Sequence, residues 1–396
     1  MRIARVASIH ADGGWRPFSF LKVETDEGLT GWSEYTQGLW SPGLPQVIES
    51  LAARVIGRDP RGFAQLSAEL HASVRFAPGG LNAQAITAIE NACVDIAAKA
   101  AGVPVARLFG GPFRERLPLY WSHCGSFRAR DGDYFEKVLD KPRLETLDDM
   151  KRLGAEAVAR GFAAAKTNPI AFSSSGAVLL NPGFVPGFDP GRALDGPTLA
   201  AIDAQVEAFR DGAGPDLDIL LDANFGCTPE GFTRIGHRLE RHRLRWLEAD
   251  IHSPAALADL RARVPMPLAS LETLYGRRGY LPYLQAGAAD IAIVDVPWNG
   301  IAEAVRIAAL AEVHEINVAP HNFYGPLADL MTAHFCAAVP NLEIMEIEAD
   351  DVPWKYDLLT ASPRIADGRF DLPQAPGWGA EVNEDAVAEH PWRPRG

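Results

Sequence analysis

Residues 218–224 read Asp-Ile-Leu-Leu-Asp-Ala-Asn, an apolar run of three residues that ends on the carboxylate of Asp222. Continuous apolar runs of this kind are typical of strands that are buried on both faces of a parallel sheet. The segment therefore predicts a buried parallel strand that carries an acidic side chain at its C-terminal end.

Later segments repeat this pattern, with an apolar run leading to Glu248, Glu272, Asp295, His321 and Glu346 in turn. Counted from Asp222, successive ionisable residues lie 23 to 26 positions apart. This interval is about one strand, one helix and two short loops, the repeat of a (β/α)8 barrel. A single acid after a strand is more often a helix cap. Six ionisable residues in phase instead favour one shared pocket at the barrel mouth, where the strand C-termini converge.

Length and composition limit the classes of protein. A chain of 396 residues is long enough for two to three domains, or for a barrel with a cap. The net charge of −13 argues against nucleic acid or an anionic membrane as a partner. Four cysteines without CxxC spacing indicate neither a zinc knuckle nor a disulfide framework, and a reduced, cytoplasmic setting is expected. The sequence shows no signal peptide and no membrane span.

The chain divides into three parts. Alternating polarity over residues 1–35 predicts an antiparallel meander, and helical periodicity follows over 45–110, which together give an α+β domain at 1–115. The barrel is predicted at 116–350, with eight strands and seven intervening helical segments. The remaining 351–396 is predicted to be extended chain that packs back on the rest.

Three segments are predicted to be loops at the active face. They are His10–Arg16, Thr36–Trp40 and a Gly/Ser/Pro-rich insert at 170–195. The insert is too long for an ordinary barrel loop, and loops of this length are often lids or disordered. We therefore predict that it covers the mouth.

Three carboxylates end successive predicted strands, at Asp222, Glu248 and Glu272. Because no cysteine or histidine stands at these points, the oxygen-only set favours Mg²⁺ over Zn²⁺. The alternative is that one of the three is a helix cap.

Asp295 and His321 end adjacent predicted strands, so the aspartate can orient the imidazole as a general base or as part of a hydrolytic triad. No GxSxG motif is present and no serine is expected at a strand tip in phase, which disfavours the triad. Lys166 lies near the end of the second predicted strand, where its ammonium could pair with a substrate carboxylate or a developing enolate. The alternative for Lys166 is a solvated side chain.

Short motifs stand in a fixed order along nearly the whole chain. They lie at 31–34 (GWSE), 85–90 (AITAIE), 102–111 (GVPVARLFGG), 222–224 (DAN), 246–248 (WLE), 267–272 (PLASLE), 294–296 (VDV), 319–322 (APHN) and 376–382 (PGWGAEV). As an ordered set, they resemble the mandelate racemase-like subgroup of the enolase superfamily, and more narrowly its acid-sugar dehydratases.

The resemblance implies an α/β fold, a modified TIM barrel (β/α)7β with an α+β capping domain formed by the N-terminal region and the C-terminal tail. It implies Mg²⁺ on Asp222, Glu248 and Glu272, and a base formed by His321 with Asp295. Catalysis would also use Lys166 and Glu346, the latter hydrogen-bonding the substrate carboxylate or its enolate. We expect Trp40, His123, Asn168 and Asn224 to bind the substrate, a small-molecule carboxylate, and the chain to form a homo-oligomer, either a dimer or an octamer.

The chain departs at four positions from the family that it resembles. Asn168 replaces a second lysine that often serves as a base, which disfavours a two-base racemase. Asn224 replaces a histidine that protonates the leaving group in some dehydratases, so His321 would have to serve as base and acid. Leu271 stands where glycine is usual, and Ala249 replaces an acid.

The expected reaction begins with removal of the proton α to a carboxylate. A divalent cation and an ammonium offset the charge of the resulting enolate, and a Lys or His base with Mg²⁺ is generally known for this superfamily. Loss of a β-hydroxyl as water would give a 2-keto-3-deoxy acid, the reaction of an acid-sugar dehydratase. The alternatives are a one-base epimerase or racemase of a 2-hydroxy acid, and a non-catalytic, ligand-sensing relative that retains the metal site.

Overall fold

The computed structural model describes residues 1–37, 41–174, 176–180 and 192–393. Its N-terminal part is an antiparallel sheet in the order β1-β2-β3, followed by helices. The elements are β1 (Ile3–Asp12), β2 (Pro17–Thr25), β3 (Thr30–Tyr35), α1 (Leu44–Ala52), α2 (Phe63–Ser73), α3 (Gly80–Ala101) and α4 (Val105–Leu108). Helix α3 packs between this sheet and the rest of the molecule, so every residue from Ala83 to Ile96 is buried.

Strands and helices then alternate. The strands are β4 (Arg116–Trp121), β5 (Ala164–Thr167), β6 (Ile170–Ser173), β7 (Gly176–Leu179), β8 (Asp218–Asp222), β9 (Trp246–Glu248), β10 (Leu268–Ser270), β11 (Ile291–Asp295), β12 (Asn317–His321) and β13 (Met345–Ile347). The helices are α5 (Ser126–Arg130), α6 (Gly132–Lys137), α7 (Leu147–Ala159), α8 (Gly196–Ala213), α9 (Pro229–Leu239), α10 (Pro254–Arg263), α11 (Gly276–Gln285), α12 (Val296–Asn299), α13 (Ile301–Val313) and α14 (Pro326–Ala338).

Eight of the described strands form the parallel barrel, in the order β12-β11-β10-β9-β8-β5-β4-β13. The two ends of this series meet where the backbones of Val318 and Leu342 bridge. The predicted fold class, a modified (β/α)7β barrel with an α+β cap, is confirmed.

Strand pleating determines which side chains enter the barrel. A small apolar cluster fills the interior, and its members include Ala164, Leu220, Trp246, Ile293, Ala319 and Ile344. Side chains two positions apart lie on the same face of a strand. The residues two positions further on therefore emerge on the inner side of the barrel mouth. They are Lys166, Asp222, Glu248, Asp295, His321 and Glu346.

Local sequence explains where several barrel helices begin. Thr146 and Asp149 form a capping box at α7, and Asp195, Thr228 and Ser253 accept backbone N–H groups at α8, α9 and α10. Proline follows within the first turn of the last three helices, where its missing N–H costs nothing.

The C-terminal tail returns to the N-terminal part, as the resemblance implied. It contains β14 (Ile365–Ala366), β15 (Arg369–Asp371) and α15 (Glu384–Glu389), so the prediction of extended chain was wrong for the segment that forms α15. Strand β15 pairs with the N-terminal end of β4. Trp378 is fully buried, where its backbone N–H donates to Asp95 (3.0 Å) and its indole N–H to the carbonyl of Trp32 (2.7 Å).

Two loop predictions need correction. Strand β1 extends to Asp12, so His10 pairs with Ser19 inside the sheet rather than lying in a loop. The 170–195 insert begins with the β6–β7 hairpin, which is held because Gln205 accepts the backbone N–H of Ile170 (2.8 Å). Residues 38–40, 175 and 181–191 lie outside the described residues, so the lid stays a prediction.

No helix in the described ranges is both long and apolar enough to cross a membrane.

Candidate active site

Lys166 lies at the centre of the barrel mouth, with 2% of its surface exposed. Its ammonium is 2.9 Å from Glu346, 3.2 Å from Glu248 and 3.8 Å from Asp222. Burial alone would lower the pKa of Lys166, but Glu248 and Glu346 raise it well above its usual value. Lys166 is therefore a permanent cation in this environment, not the solvated side chain of the alternative.

Glu248 and Asp222 lie beside that ammonium on adjacent strands. Burial and the neighbouring charge of Asp222 raise the pKa of Glu248 to about 7, although Lys166 opposes the shift. Glu248 Oε1 is buried without a hydrogen-bond partner. Such an oxygen is costly unless a donor or a cation binds it.

The amides of Asn168 and Asn224 both bind Asp222. Asn168 Nδ2 donates to Asp222 Oδ2 (3.2 Å) and to its carbonyl (3.0 Å), and Asn224 Nδ2 donates to Oδ1 (2.6 Å). The side-chain carbonyl of Asn168 accepts from Ser126 (2.7 Å). Both asparagines thus position the predicted metal ligand, whereas their predicted contact with substrate stays a prediction.

His321 and Asp295 form a close pair at the ends of β12 and β11, with Nδ1 to Oδ2 at 2.6 Å. The phenol of Tyr324 donates to the same carboxylate, and the backbone N–H of Trp298 donates to its other oxygen (2.6 Å). His321 Nε2 is 3.8 Å from Glu272. Burial lowers the pKa of His321, but Glu272 and Asp295 outweigh it and raise the pKa to about 10.

Glu346 is held on the far side of Lys166. Its carboxylate accepts from the hydroxyl of Ser122 (2.6 Å) and from the backbone N–H of Asn322 (2.5 Å). Burial opposes its charge, yet Lys166 and His321 hold the pKa of Glu346 at about 2. Glu346 is therefore an anion that fixes the position of the ammonium.

His123 and Trp40 are the other two residues that were predicted to bind the substrate. His123 is buried and its ring stacks on Phe127. The hydroxyl of Ser122 lies 2.9 Å from Nδ1 of His123. Burial and then Lys166 lower the pKa of His123 well below its usual value, which keeps the ring neutral. Trp40 lies outside the described residues.

The donor set fits a hard divalent cation. Asp222, Glu248 and Glu272 offer only oxygens, the atoms that Mg²⁺ prefers. Burial raises the pKa of all three, and neighbouring carboxylates add to the shift, Glu346 for Asp222, Asp222 for Glu248, and Glu248 with Asp222 for Glu272, so a cation would stabilise the cluster. Within the described part of the chain, no three acidic, histidine or cysteine side chains are already close enough together to form a metal centre.

Sequence reasoning missed four site residues. Asp250 lies two positions after Glu248 and has a buried oxygen without a partner, while its other oxygen accepts from Ser270 (3.0 Å). Ser122 follows β4 two positions after the interior residue Tyr120, so the expectation of no serine at a strand tip in phase was wrong. Ser270 ends β10 one position after the interior residue Ala269. Ser122 donates a hydrogen bond to Glu346 and Ser270 donates one to Asp250, so both hydroxyls hold carboxylates in place rather than facing His321 as nucleophiles. Tyr324, three positions after His321, carried no signal beyond that spacing.

The site thus combines a fixed ammonium, a cluster of carboxylates whose pKa values burial raises, and a histidine oriented by an aspartate. This arrangement can stabilise an enolate and move a proton at the adjacent carbon. Together with the capped barrel, it defines the active site of an enzyme.

The chain belongs to the mandelate racemase / muconate lactonizing enzyme family. The N-terminal domain of that family matches residues 7–110, and the enolase C-terminal domain-like family matches residues 149–386.

Named relatives share most of the chain. D-galactarolactone cycloisomerase of Agrobacterium fabrum is 28% identical over 94% of this chain and 91% of its own length. D-galactonate dehydratase of Xanthomonas campestris is 27% identical, with coverage of 98% and 94%. A solved structure from Burkholderia xenovorans, provisionally named an L-alanine-DL-glutamate epimerase and bound to magnesium and fumarate, is 42% identical with a TM-score of 0.95, covering 100% of this chain and 97% of that one.

Proposed function

We propose that the protein is a Mg²⁺-dependent acid-sugar dehydratase with a single base, His321. The relatives that are named as sugar-acid dehydratases and as a cycloisomerase support this class of substrate. The magnesium in the structure of the Burkholderia relative supports the metal.

The observation that carries the proposal is the engagement of Lys166. Three carboxylates lie within 3.8 Å of its ammonium. A lysine held in this way cannot take up a proton, and Asn168 stands where a second base would be needed. His321 is left as the side chain able to exchange a proton with the substrate.

His321 can accept a proton only once the charge of Glu272 is neutralised, because Glu272 and Asp295 otherwise hold it protonated. Bound Mg²⁺ would supply that neutralisation, together with charge stabilisation at the substrate carboxylate. Asp222, Glu248 and Glu272 would hold the metal. Asp295 keeps Nδ1 of His321 protonated and leaves Nε2 as the acceptor.

The proton balance follows from these roles. Nε2 of His321 takes the α proton, and the electron pair moves into the carboxylate, where Lys166 stabilises the enolate. The enolate expels the β-hydroxyl group, which takes the same proton from His321 and leaves as water. The enol then tautomerises to the 2-keto-3-deoxy acid.

A one-base epimerase is the second candidate. The Burkholderia relative carries an epimerase name at 42% identity. An epimerase of this kind would exchange the α proton without losing water.

The test is a panel of sugar acids with Mg²⁺, followed by 2-keto acid formation and by NMR of α-proton exchange in D₂O. We expect His321→Asn to lower both rates by about 10²–10⁴-fold. His334→Gln serves as the matched control, because His334 is also buried but lies on α14 between Ala106 and Trp378. Exchange near the wild-type rate in His321→Asn would transfer the base to Lys166, and exchange without dehydration would favour the epimerase.

A further inference from the structure

Arg16 lies in the turn between β1 and β2, with 4% of its surface exposed. Its Nη2 donates to the carbonyls of Phe323 (2.9 Å) and Tyr324 (3.2 Å), and to Asp351 (2.9 Å). Its other two nitrogens, Nε and Nη1, are buried without any hydrogen-bond partner. A buried guanidinium with unpaired N–H donors is unusual, since buried polar groups normally form hydrogen bonds.

The side chain of Arg16 is held rigidly. The guanidinium carbon lies 4.5 Å from the centre of the Trp15 ring and 5.1 Å from that of Phe18. The carboxylate of Asp351 is shared between Arg16 and Lys355, which lies 3.2 Å from it and also pairs with Asp329. Asp351 therefore does not fully neutralise the charge of Arg16. Arg16 is therefore a fixed cation with unused donors.

Arg16 lies across the barrel mouth from the predicted metal ligands. Glu248 ends β9, and β13 stands opposite β9 in the ring of eight strands. Arg16 contacts the segments that follow β12 and β13, through Tyr324 and Asp351. Its charge also acts on His123, which follows β4 and is in turn influenced by Lys166 and Glu346. A chain-like substrate with its carboxylate near β8–β10 would extend its other end towards Arg16.

We propose that Arg16 binds the far carboxylate of the substrate, so that the enzyme prefers dicarboxylic sugar acids (aldarates) to the matching aldonates. This assignment rests on the proposed function for the near end of the substrate. Arginine has donors and no acceptor, so its partner must offer lone pairs, and a carboxylate forms stronger, charge-assisted bonds than a hydroxyl.

A structural role is the competing explanation, because Arg16 also fastens the β1–β2 turn to the barrel. The two roles differ in what they do to selectivity. A fastening arginine affects both members of a substrate pair equally, whereas a recognition arginine affects the dicarboxylate alone.

The experiment uses two matched pairs, galactarate with galactonate and glucarate with gluconate. Calorimetric binding with Mg²⁺ and steady-state kinetics are measured for wild type and Arg16→Gln. Arg128→Gln is the control, because Arg128 is similarly buried but all of its nitrogens are paired with Asp350 and Glu156.

We expect wild type to bind at least one dicarboxylate about 10- to 100-fold more tightly than its partner, the range for charge-assisted hydrogen bonds. Arg16→Gln should abolish that ratio, mainly through Kd and KM, and Arg128→Gln should preserve it even if it is less stable. Equal affinities in wild type, or a ratio unchanged in Arg16→Gln, would overturn the assignment. Absence of turnover and of α-proton exchange with every acid would instead contradict the proposed function, and the binding ratio would still decide the role of Arg16.

Discussion

Tyr324 joins the His321–Asp295 pair from three residues further along the chain. Its phenol donates to Asp295 and lies 3.1 Å from His321 Nδ1. The hydrogen bond from Tyr324 stabilises Asp295 as an anion, and it therefore weakens the attraction of Asp295 for the imidazolium of His321. Tyr324 therefore tunes the basicity of the proposed base without touching the reacting atoms.

Replacing Tyr324 with Phe should raise the pKa of His321, since Asp295 loses a competing donor. The acidic limb of the pH profile for α-proton exchange should then move to higher pH, and the rate at neutral pH should fall by about 10-fold. The profile is measured by NMR in buffered D₂O. A lower rate with an unmoved limb would mean that Tyr324 is merely structural.

The substitution of Glu248 tests the predicted metal site. Because it contributes one of three proposed ligand charges, Glu248→Gln should weaken Mg²⁺ binding by at least the roughly 10- to 100-fold that is typical when a residue supporting a metal ligand is replaced. Calorimetric titration with MgCl₂ measures this without substrate, and EDTA should abolish wild-type activity until Mg²⁺ is restored.

Glu343→Gln is the control for that measurement. Glu343 also forms an ion pair, with Arg245 (2.6 Å), but lies away from the mouth before β13. Equal Mg²⁺ affinities in wild type and Glu248→Gln would remove Glu248 from the metal site.

At the scale of elements, helix α14 is joined to the cap by a neutral histidine. His334 Nδ1 accepts the backbone N–H of Ala106 (3.2 Å), and Nε2 donates to the carbonyl of Trp378 (3.1 Å). Burial lowers the pKa of His334 to about 4. The neutral ring suits both bonds, and its protonation would break the first.

This pKa predicts how stability depends on pH. The unfolded chain has a histidine pKa of about 6.5, so it binds the proton more readily than the folded chain does. The contribution of His334 is therefore complete above that value and is lost as the pH falls towards about 4. Between pH 7 and pH 5, wild type should lose about 2 kcal/mol more than His334→Gln. Urea unfolding at both pH values measures the difference, and parallel losses would refute it.

Barrel strands were predictable because each joins an apolar run to a charged end, a pattern contained within a few residues. The β6–β7 hairpin was not, since its composition resembles a loop and its position depends on Gln205, 35 residues from Ile170. Arg16 was hidden for the same reason, because its bonds reach 307 to 335 residues along the chain. Leu271 was recognised as a departure from glycine, and its φ of 92° shows why glycine is favoured there.

Across the whole molecule, the cap depends on both ends of the chain. Trp378 is buried between α3 and β3 and makes two hydrogen bonds there. Trp378→Ala should cost about 3–5 kcal/mol of stability, the range for a large buried aromatic residue. Denaturant unfolding measures it.

Phe76→Ala is the control for that loss, because Phe76 is 75% exposed and its removal should change stability by less than about 0.5 kcal/mol. Similar small losses in the two variants would mean that the tail does not stabilise the cap.

The return of Trp378 to Trp32 and Asp95 has a consequence for synthesis on the ribosome. At about 5–20 residues per second, roughly 15–70 s separate the emergence of β3 from that of its partner Trp378. During this interval the nascent cap exposes the apolar surface that Trp378 later covers. A ribosome stalled after β13 would therefore carry every described strand of the barrel while the surface that Trp378 covers is still open to solvent.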